Sequence, residues 1–176
     1  KKRRTAERMA RVISFLPYVK MVALTGSLSH HSTNKNSDID VLIVTKNGHI
    51  WTARMLVSAF MHALGKRRHG NKIKDRICLN HYVSDSNLTL RPNNMFSAHI
   101  GASLIPLWSD KKTYNSFVKQ NESLINSFFP NHKTPHLYNS KKSVLKTDFL
   151  FSIFEPLLRN IQLKKIHNNF KEKNLN

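Results

Sequence analysis

Two carboxylates, Asp38 and Asp40, stand at the start of an apolar run with Ile39 between them. Residues two apart in a strand face the same side, so both carboxylates are predicted to project together. Two like charges placed side by side repel, and burying them requires a neutralising cation. Hard oxygen ligands at this spacing suit Mg²⁺ or Mn²⁺ held jointly with substrate phosphates. The alternative is that both carboxylates are solvated where a strand begins.

A Gly-Ser pair, Gly26 and Ser27, closes the preceding apolar run, and ten residues separate it from Asp38. Glycine lets backbone amides approach a phosphate closely, and the serine hydroxyl can donate a hydrogen bond. A helical turn after the pair would direct its positive end at the same anion. Taken singly, Gly26 could be a turn residue and Ser27 a helix cap. Together with the aspartates, the pair predicts a site for phosphate and metal.

The hydrophobic pattern predicts the elements that must position these residues. Helical periodicity indicates an amphipathic helix over 5–16, stopped by Pro17, and a largely buried helix over 49–65. Apolar and β-branched runs predict strands at 19–26, 38–45 and 75–84, and a short fourth strand or sheet edge at 88–92.

From Asn94 onward the pattern predicts only helices, over about 94–103, 111–128 and 141–170. Pro156 is expected to interrupt the last helix or to mark the start of a second one. This order of elements predicts an α/β (α+β) fold, a small mixed β-sheet with flanking helices and a helical C-terminal part. We expect a first domain over 1–110 and a helical C-terminal extension over 111–176.

The chain is strongly basic, with 29 Lys and Arg against 10 Asp and Glu and a formal net charge of +19. Such a charge favours an anionic partner, namely a nucleotide, a nucleic acid or an anionic membrane surface, over the alternative of a solvated cationic face. The single cysteine, Cys78, excludes an internal disulfide. No apolar run reaches the length of about 18 residues that a membrane span needs. We therefore expect a reducing, cytoplasmic location.

The string TGSLSHHSTNKNSDIDVLIV resembles the signature of the DNA polymerase beta-type nucleotidyltransferase superfamily, in particular that of its minimal members. Those proteins carry an apolar residue, Gly-Ser, about ten residues, and then Asp-x-Asp between apolar positions. The segments DRICLNHYVS, MFSAHIGASLIPLW and NIQLKKIH also look like parts of uncharacterised bacterial nucleotidyltransferase-like proteins. The resemblance implies a sheet of nucleotidyltransferase type and makes 1–110 a nucleotidyltransferase-like domain.

The resemblance also implies the roles of the four motif residues. Gly26 and Ser27 would bind a nucleoside triphosphate such as ATP, and Asp38 and Asp40 would hold the divalent metal, Mg²⁺ or Mn²⁺. A nucleoside monophosphate would then pass to a hydroxyl or similar acceptor, with release of pyrophosphate. Two alternatives stay open: a non-catalytic module that binds RNA or DNA through its basic surface, and an antitoxin-like transferase that acts on a partner protein.

Active members of the superfamily usually carry a third carboxylate in the middle of a neighbouring strand, and the position that matches it here is Asn80. Strand alternation predicts that Asn80 shares one face with Cys78 and Tyr82, with Leu79 and His81 on the other. An amide accepts no proton, so Asn80 at this catalytic position is predicted to limit catalysis rather than nucleotide binding. The alternative is that Asn80 only satisfies backbone groups of the sheet.

Two further aspartates are weaker candidates for the third carboxylate. Asp75 has Lys74 and Arg76 beside it and the opposite strand parity, which favours a salt-bridged surface position. Asp85 lies past the predicted end of the strand.

The remaining polar and aromatic residues give weaker signals. His30 and His31 lie between the two motifs and could contact a phosphate or the acceptor, but the ten histidines show no spacing typical of a transition-metal site. Trp51 and Trp108 are expected in core or edge packing. A cationic cluster without interleaved aromatic residues favours sequence-independent phosphate contact, and comprises Lys66, Arg67, Arg68, Lys72, Lys74 and Arg76.

Overall fold

The structure, a computed structural model, describes residues 1–30, 32, 34–133 and 154–174, with only the backbone of Asn80 and of residues 169–174. The described helices are α1 (Lys2–Ser14), α2 (Ile50–Ala63), α3 (Met95–Ser103), α4 (Lys111–Phe128) and α5 (Glu155–Asn174). The strands are β1 (Val19–Thr25), β2 (Ile39–Thr45), β3 (Ile77–Ser84) and β4 (Ile105–Ser109). A single 3-10 turn, Gly26–Leu28, follows β1.

The four strands form one sheet in the order β3-β2-β1-β4. β1 pairs antiparallel with both β2 and β4, whereas β2 and β3 are parallel. A parallel pair needs a crossover connection, and α2 supplies it between β2 and β3. The small mixed sheet that the sequence predicts is therefore confirmed.

Each face of the sheet is covered by two helices. One core cluster joins α1 and α2 to the face formed by alternate residues of the central strands. Its members include Ile13, Met61 and Ile43. The other joins α3 and α4 to the opposite face through Ala98, Phe117 and other apolar residues. Helix α4 thus packs on the same sheet as the first hundred residues, and the division of the chain at residue 110 stays a prediction.

The predicted fourth strand at 88–92 is wrong, because this extended segment pairs with a helix. The backbone N–H of Leu88 donates to Gln120 Oε1 at 2.9 Å, and that of Leu90 donates to Asn121 Oδ1 at 2.8 Å. Asn121 Nδ2 also donates to the Leu88 carbonyl at 2.9 Å. Side-chain amides of α4 therefore make the hydrogen bonds to this backbone that a neighbouring strand would otherwise make.

The fourth strand of the sheet is β4, a stretch that the sequence prediction passed over between two helices. It is short and contains Pro106, which weakens its strand signal, but a proline is tolerated because β4 lies at the sheet edge. Trp108 of β4 is buried in the core, as predicted.

Helix α5 begins at Glu155, so Pro156 stands in the first turn of a helix rather than in its interior. The part of the predicted 141–170 helix that precedes residue 154 lies outside the described residues. Glu155 accepts hydrogen bonds from the backbone N–H groups of Trp51 and Thr52, each at 2.8 Å, and from the Thr52 hydroxyl. Gln162 Nε2 donates to the Trp51 carbonyl at 2.9 Å, so α5 is attached to the first turn of α2.

None of the helices in the described part of the chain combines the length and the apolar character that a membrane crossing requires.

Candidate nucleotide and metal site

The Gly-Ser pair forms the turn at the end of β1. Gly26 has a φ of +67°, in the left-handed region that favours glycine. Ser29 closes the turn by donating its backbone N–H at 3.0 Å and its hydroxyl at 2.7 Å to the Gly26 carbonyl. Ser27 lies inside this turn and is half-buried. The predicted helical turn after the pair is therefore present as a 3-10 turn.

Asp40 lies in β2 directly beside the turn, because its strand partner on β1 is Thr25. A Cβ added to Gly26 would clash with the Asp40 carboxylate, with Cγ only 3.0 Å away. The side chain of any other residue at position 26 would therefore displace this carboxylate. The two halves of the motif, ten residues apart in sequence, meet at this contact.

Asp38 and Asp40 converge as the strand alternation predicts, and a cysteine joins them. On β3 the partner of Asp40 is Cys78, so their side chains share one face of the sheet. Ligand atoms of Asp38, Asp40 and Cys78 all lie within 4.8 Å of one another. The two carboxylates supply hard oxygen atoms that fit Mg²⁺ or Mn²⁺, whereas a thiol is a soft group that these ions do not favour.

The environment of the site disfavours the negatively charged forms of its own side chains. Burial, followed by the charge of Asp38, raises the pKa of Asp40 above its usual range. Burial and the neighbouring Asp40 and Asp38 raise the pKa of the Cys78 thiol to about 12. Cys78 thus remains a neutral thiol at neutral pH, and the charge of the site is set by the two aspartates.

Arg68 is the cation that neutralises part of this charge in the described structure. Its Nη1 atom lies 2.6 Å from Asp38 Oδ2 and 3.8 Å from Cys78 Sγ. The Asp38 side chain is 15% exposed and that of Arg68 is 42% exposed. In the sequence, Arg68 is distinguished only by its charge, as one member of a cationic cluster.

Lys2 of α1 fixes the loop that leads into Asp38. Its Nζ atom donates to the Asn34 carbonyl at 2.8 Å, and to the Ser37 carbonyl and hydroxyl at 2.5 and 2.8 Å. It also lies 3.8 Å from an Asp75 oxygen, which confirms the predicted salt-bridged position of Asp75, with a partner from α1. Nothing in the local sequence around Lys2 signals this role.

The predicted alternation of side chains between the two faces of β3 is wrong for the residues after Asn80. Asp40 pairs with Cys78 but Leu42 pairs with His81, so two steps along β2 match three along β3. Tyr82 consequently packs on the same core cluster as Leu79 instead of sharing the face of Cys78. Such an irregularity re-aims side chains next to a site.

Asn80 lies within this irregular part of β3, and its side chain is outside the described structure. Its predicted place at the position of a third carboxylate therefore stays a prediction. Asp85 follows the end of β3 and accepts a hydrogen bond from the Asn47 backbone at 2.7 Å.

Of the two histidines between the motifs, His31 lies outside the described residues. The ring of His30 packs against that of His99, with centroids 4.2 Å apart. Burial, and then the neighbouring His99, lower the pKa of His30. The predicted contact of His30 with a phosphate or acceptor stays a prediction.

Two solved structures resemble the chain weakly. One is described as a toxin–antitoxin with AMP-PNP, at 18% identity and a TM-score of 0.40, with 66% of this chain and 85% of that chain covered. The other is a mutant of the toxin–antitoxin MntA–HpeT, at 15% identity and a TM-score of 0.38, with 70% of this chain and 85% of that chain covered. Both TM-scores are below 0.5, so no inference rests on either likeness.

A comparison with curated proteins finds no match. The family comparison, in contrast, matches the nucleotidyltransferase domain to residues 6–78. This range contains Gly26, Ser27, both aspartates, Arg68 and Cys78, whereas Lys2 and Asn80 lie outside it. The resemblance predicted from the Gly-Ser and Asp-x-Asp motifs is therefore confirmed: residues 6–78 match the nucleotidyltransferase domain family.

Proposed function

We propose that the chain binds a nucleoside triphosphate together with Mg²⁺ or Mn²⁺ and transfers the nucleoside monophosphate to an acceptor. The observation that supports this proposal is the close approach of the Gly26 turn to the Asp40 carboxylate, the two groups to which we assign phosphate binding and metal binding. The match of this segment to the nucleotidyltransferase domain family supports it.

Each residue has a separate task in the proposed reaction. The turn at Gly26 leaves backbone room for a phosphate, and the Ser27 hydroxyl donates to a phosphate oxygen. Asp38 and Asp40 hold the divalent metal, which on binding shields the phosphate charge and activates the attacking group. Lys2 holds the loop before Asp38, and so keeps the two carboxylates at a fixed separation.

Among the described residues, no further carboxylate lies beside Asp38 and Asp40 to take the proton of the acceptor. Cys78, the third group beside the aspartates, is a neutral thiol, and Asn80 carries no charge. We therefore expect nucleotide binding to be stronger than catalysis, with transfer slow unless the acceptor brings its own activated group.

The proposal is tested by calorimetric titration of the wild type and of Asp38→Ala and Asp40→Ala with Mg-ATP and the other Mg-triphosphates. Each substitution is expected to abolish Mg-dependent binding while the circular dichroism spectrum stays unchanged. Glu122→Ala, on an exposed position of α4, is the matched control for loss of one carboxylate. Unchanged affinity in both aspartate variants would contradict the assignment.

The acceptor is identified by incubation with each labelled triphosphate and separate pools of RNA, protein and small hydroxyl or amine compounds. A labelled protein band would favour an antitoxin-like transferase that acts on a partner protein. Labelled RNA or a labelled small molecule would favour the corresponding class of acceptor. No label in any pool, despite Mg-dependent nucleotide binding, would favour a protein that binds nucleotide without transferring it.

The net charge of +19 favours a second candidate function, non-catalytic binding of RNA or DNA. Each neutralised phosphate contributes roughly 0.9 to the log–log salt slope on duplex DNA. Fluorescence anisotropy across a salt series is expected to show steep salt dependence if this function is correct. Mg-dependent triphosphate binding without any polynucleotide separates the two candidates, because only the nucleotidyltransferase proposal requires it.

A further inference from the structure

Arg68 reaches the site from a segment that extends the sheet past β3. The Ile77 backbone N–H donates to the Lys66 carbonyl at 2.7 Å, and the Arg68 N–H donates to the Ile77 carbonyl at 2.9 Å. The backbone of Arg68 is therefore fixed beside the residue that precedes Cys78. Its guanidinium group, in contrast, is held by side-chain contacts at a partly exposed position.

The guanidinium engages one oxygen of Asp38, one of the two carboxylates proposed to hold the metal. Asp38 Oδ2 is engaged by Arg68 Nη1 at 2.6 Å, and the other donor atoms of the site lie within 4.8 Å of Asp38. A divalent cation bound by both carboxylates would stand close to this positive group and be repelled by it. Metal binding without nucleotide is therefore opposed by Arg68.

A triphosphate changes this balance because it brings several negative oxygen atoms to the same place. Guanidinium groups bind phosphate through paired, charge-assisted hydrogen bonds, and a partly exposed arginine side chain can turn from a carboxylate to a phosphate nearby. The phosphates thus replace Asp38 as the partner of Arg68 and free Asp38 for the metal.

We propose that the Arg68 guanidinium changes partner between Asp38 and the triphosphate, and so couples the binding of metal and triphosphate. It weakens the binding of metal alone and strengthens the binding of metal and triphosphate together. The inference rests on the proposed nucleotide and metal site and assigns Arg68 a direct contact with the phosphates there. Coupling between two ligands is reciprocal, so bound triphosphate strengthens metal binding by the same factor by which bound metal strengthens triphosphate binding.

The test compares two ligands on the wild type and on Arg68→Gln. Free Mn²⁺ is titrated by electron paramagnetic resonance, and Mg-tripolyphosphate, which carries the phosphates without base or ribose, is titrated by calorimetry. We expect Arg68→Gln to bind Mn²⁺ about fivefold or more tightly than wild type, and Mg-tripolyphosphate about fivefold or more weakly. Opposite shifts are the signature of a residue that changes partner.

Two further variants serve as controls. Lys74→Gln removes one charge from the same basic loop at an exposed position, and is expected to shift both affinities little. Arg68→Lys keeps the positive charge but lacks the paired donors of the guanidinium. It is expected to bind Mn²⁺ as weakly as wild type does, and to bind Mg-tripolyphosphate less tightly than wild type. Thermal unfolding of all variants confirms that each is folded.

Shifts of the same sign for both ligands, no shift in Arg68→Gln, or equal shifts in Lys74→Gln would each overturn the proposed coupling. Failure of the proposed function has a different signature, since wild type would then bind neither free Mn²⁺ nor Mg-tripolyphosphate, and Arg68→Gln would not gain Mn²⁺ binding.

Discussion

Carboxylates are used differently in two regions of this molecule. At the junction of α5 and α2, Glu155 accepts hydrogen bonds from two backbone N–H groups at 2.8 Å and from a threonine hydroxyl. At the start of β2, Asp40 lies beside Asp38, and the partly exposed Arg68 contacts Asp38 at 2.6 Å. The first carboxylate has fixed donors, while the second stands next to a charge of its own sign.

The difference separates stability from binding. Donors at a helix start stabilise a carboxylate and the helix together, because both gain from the same hydrogen bonds. A half-buried pair of like charges lowers the free energy of unfolding, but it leaves both carboxylates available to a cation. Such a loss of stability is common at functional sites. Opposite effects of neutralising the two kinds of carboxylate are therefore expected.

The largest effect is expected for Gly26→Ala, with Gly48→Ala as its matched control. Both glycines have a positive φ, +67° and +73°, so alanine costs about 1–2 kcal/mol of backbone strain at each. Only at position 26 does the added Cβ clash with Asp40, since nothing lies within 4 Å of Gly48. Gly26→Ala should also lose Mg-ATP affinity by tenfold or more, about 1.4 kcal/mol.

Chemical denaturation and calorimetry measure the two quantities. If Gly26→Ala and Gly48→Ala bound Mg-ATP equally well, the contact between the turn and Asp40 would have no part in binding.

The next effect concerns the carboxylate that stabilises the fold. Glu155→Gln places an amide NH₂ group toward N–H donors, and we expect a loss of about 1–2 kcal/mol in the free energy of unfolding. For a chain of this length, the melting temperature should fall by about 2–8 °C. The control is Glu122→Gln on the exposed face of α4, which is expected to leave the melting temperature unchanged. An unaltered melting temperature in Glu155→Gln would remove the contrast between the regions.

A smaller effect of opposite sign is expected for Asp40→Asn in metal-free buffer. Burial and Asp38 raise the folded-state pKa of Asp40, so its contribution to stability is full below the unfolded pKa and is lost as pH rises through the folded pKa. Asparagine stays neutral, and the variant should melt higher than wild type at pH 7. The gain should stay below about 1 kcal/mol, because solvent screens this partly exposed carboxylate.

Thermal unfolding over a pH series checks the sign. The difference between Asp40→Asn and wild type should shrink as pH falls through the folded-state pKa and vanish below the unfolded value of about 3.9. A variant that melts lower than wild type at pH 7 would place Asp40 among the stabilising carboxylates with Glu155.

The smallest effect is expected for Asn80→Asp, assayed for transfer with Mg²⁺ and with Mn²⁺. A third carboxylate should raise the transfer rate by about threefold at most, below the 10²–10⁴-fold of a well-placed general base, because β3 is irregular at this position. Triphosphate affinity should be unchanged. Asn131→Asp, in an exposed turn, controls for added charge.

Equal transfer by wild type and Asn80→Asp, with the same metal requirement, would mean that Asn80 does not occupy the acceptor-base position. Asp75 would then be the next residue to substitute, although its 3.8 Å ion pair with Lys2 favours a structural role.

Most of the fold follows from hydrophobic pattern, and the exceptions have physical causes. Long periodic or continuous apolar segments correctly predicted the first three strands and the helices α1 to α4. Strand β4 was missed because five residues with a proline carry little local signal. The segment 88–92 was wrongly predicted as a strand or sheet edge because its backbone bonds to Gln120 and Asn121, more than 30 positions away.

The same distinction holds at the candidate site. The convergence of Gly26 with Asp38 and Asp40 could be predicted, since alternation in one strand and a short loop suffice to bring them together. Arg68 and Lys2 could not, because their contacts span 30 and 35 positions and depend on where a loop and a helix end pack. Cys78 faces Asp40 through strand register, which the sequence of one chain leaves open.

The attachment of α5 to α2 has a consequence for the order in which the chain becomes complete during synthesis. Glu155 is made 104 residues after Trp51, whose backbone it holds. At the pace of translation this interval lasts about 5–20 s. During that interval the first turn of α2 lacks its carboxylate acceptor, whereas Asp38 and Asp40 precede the interval and Arg68 and Cys78 are added within it. The nascent chain therefore acquires the residues of the candidate site before it acquires the acceptor that secures the crossover helix.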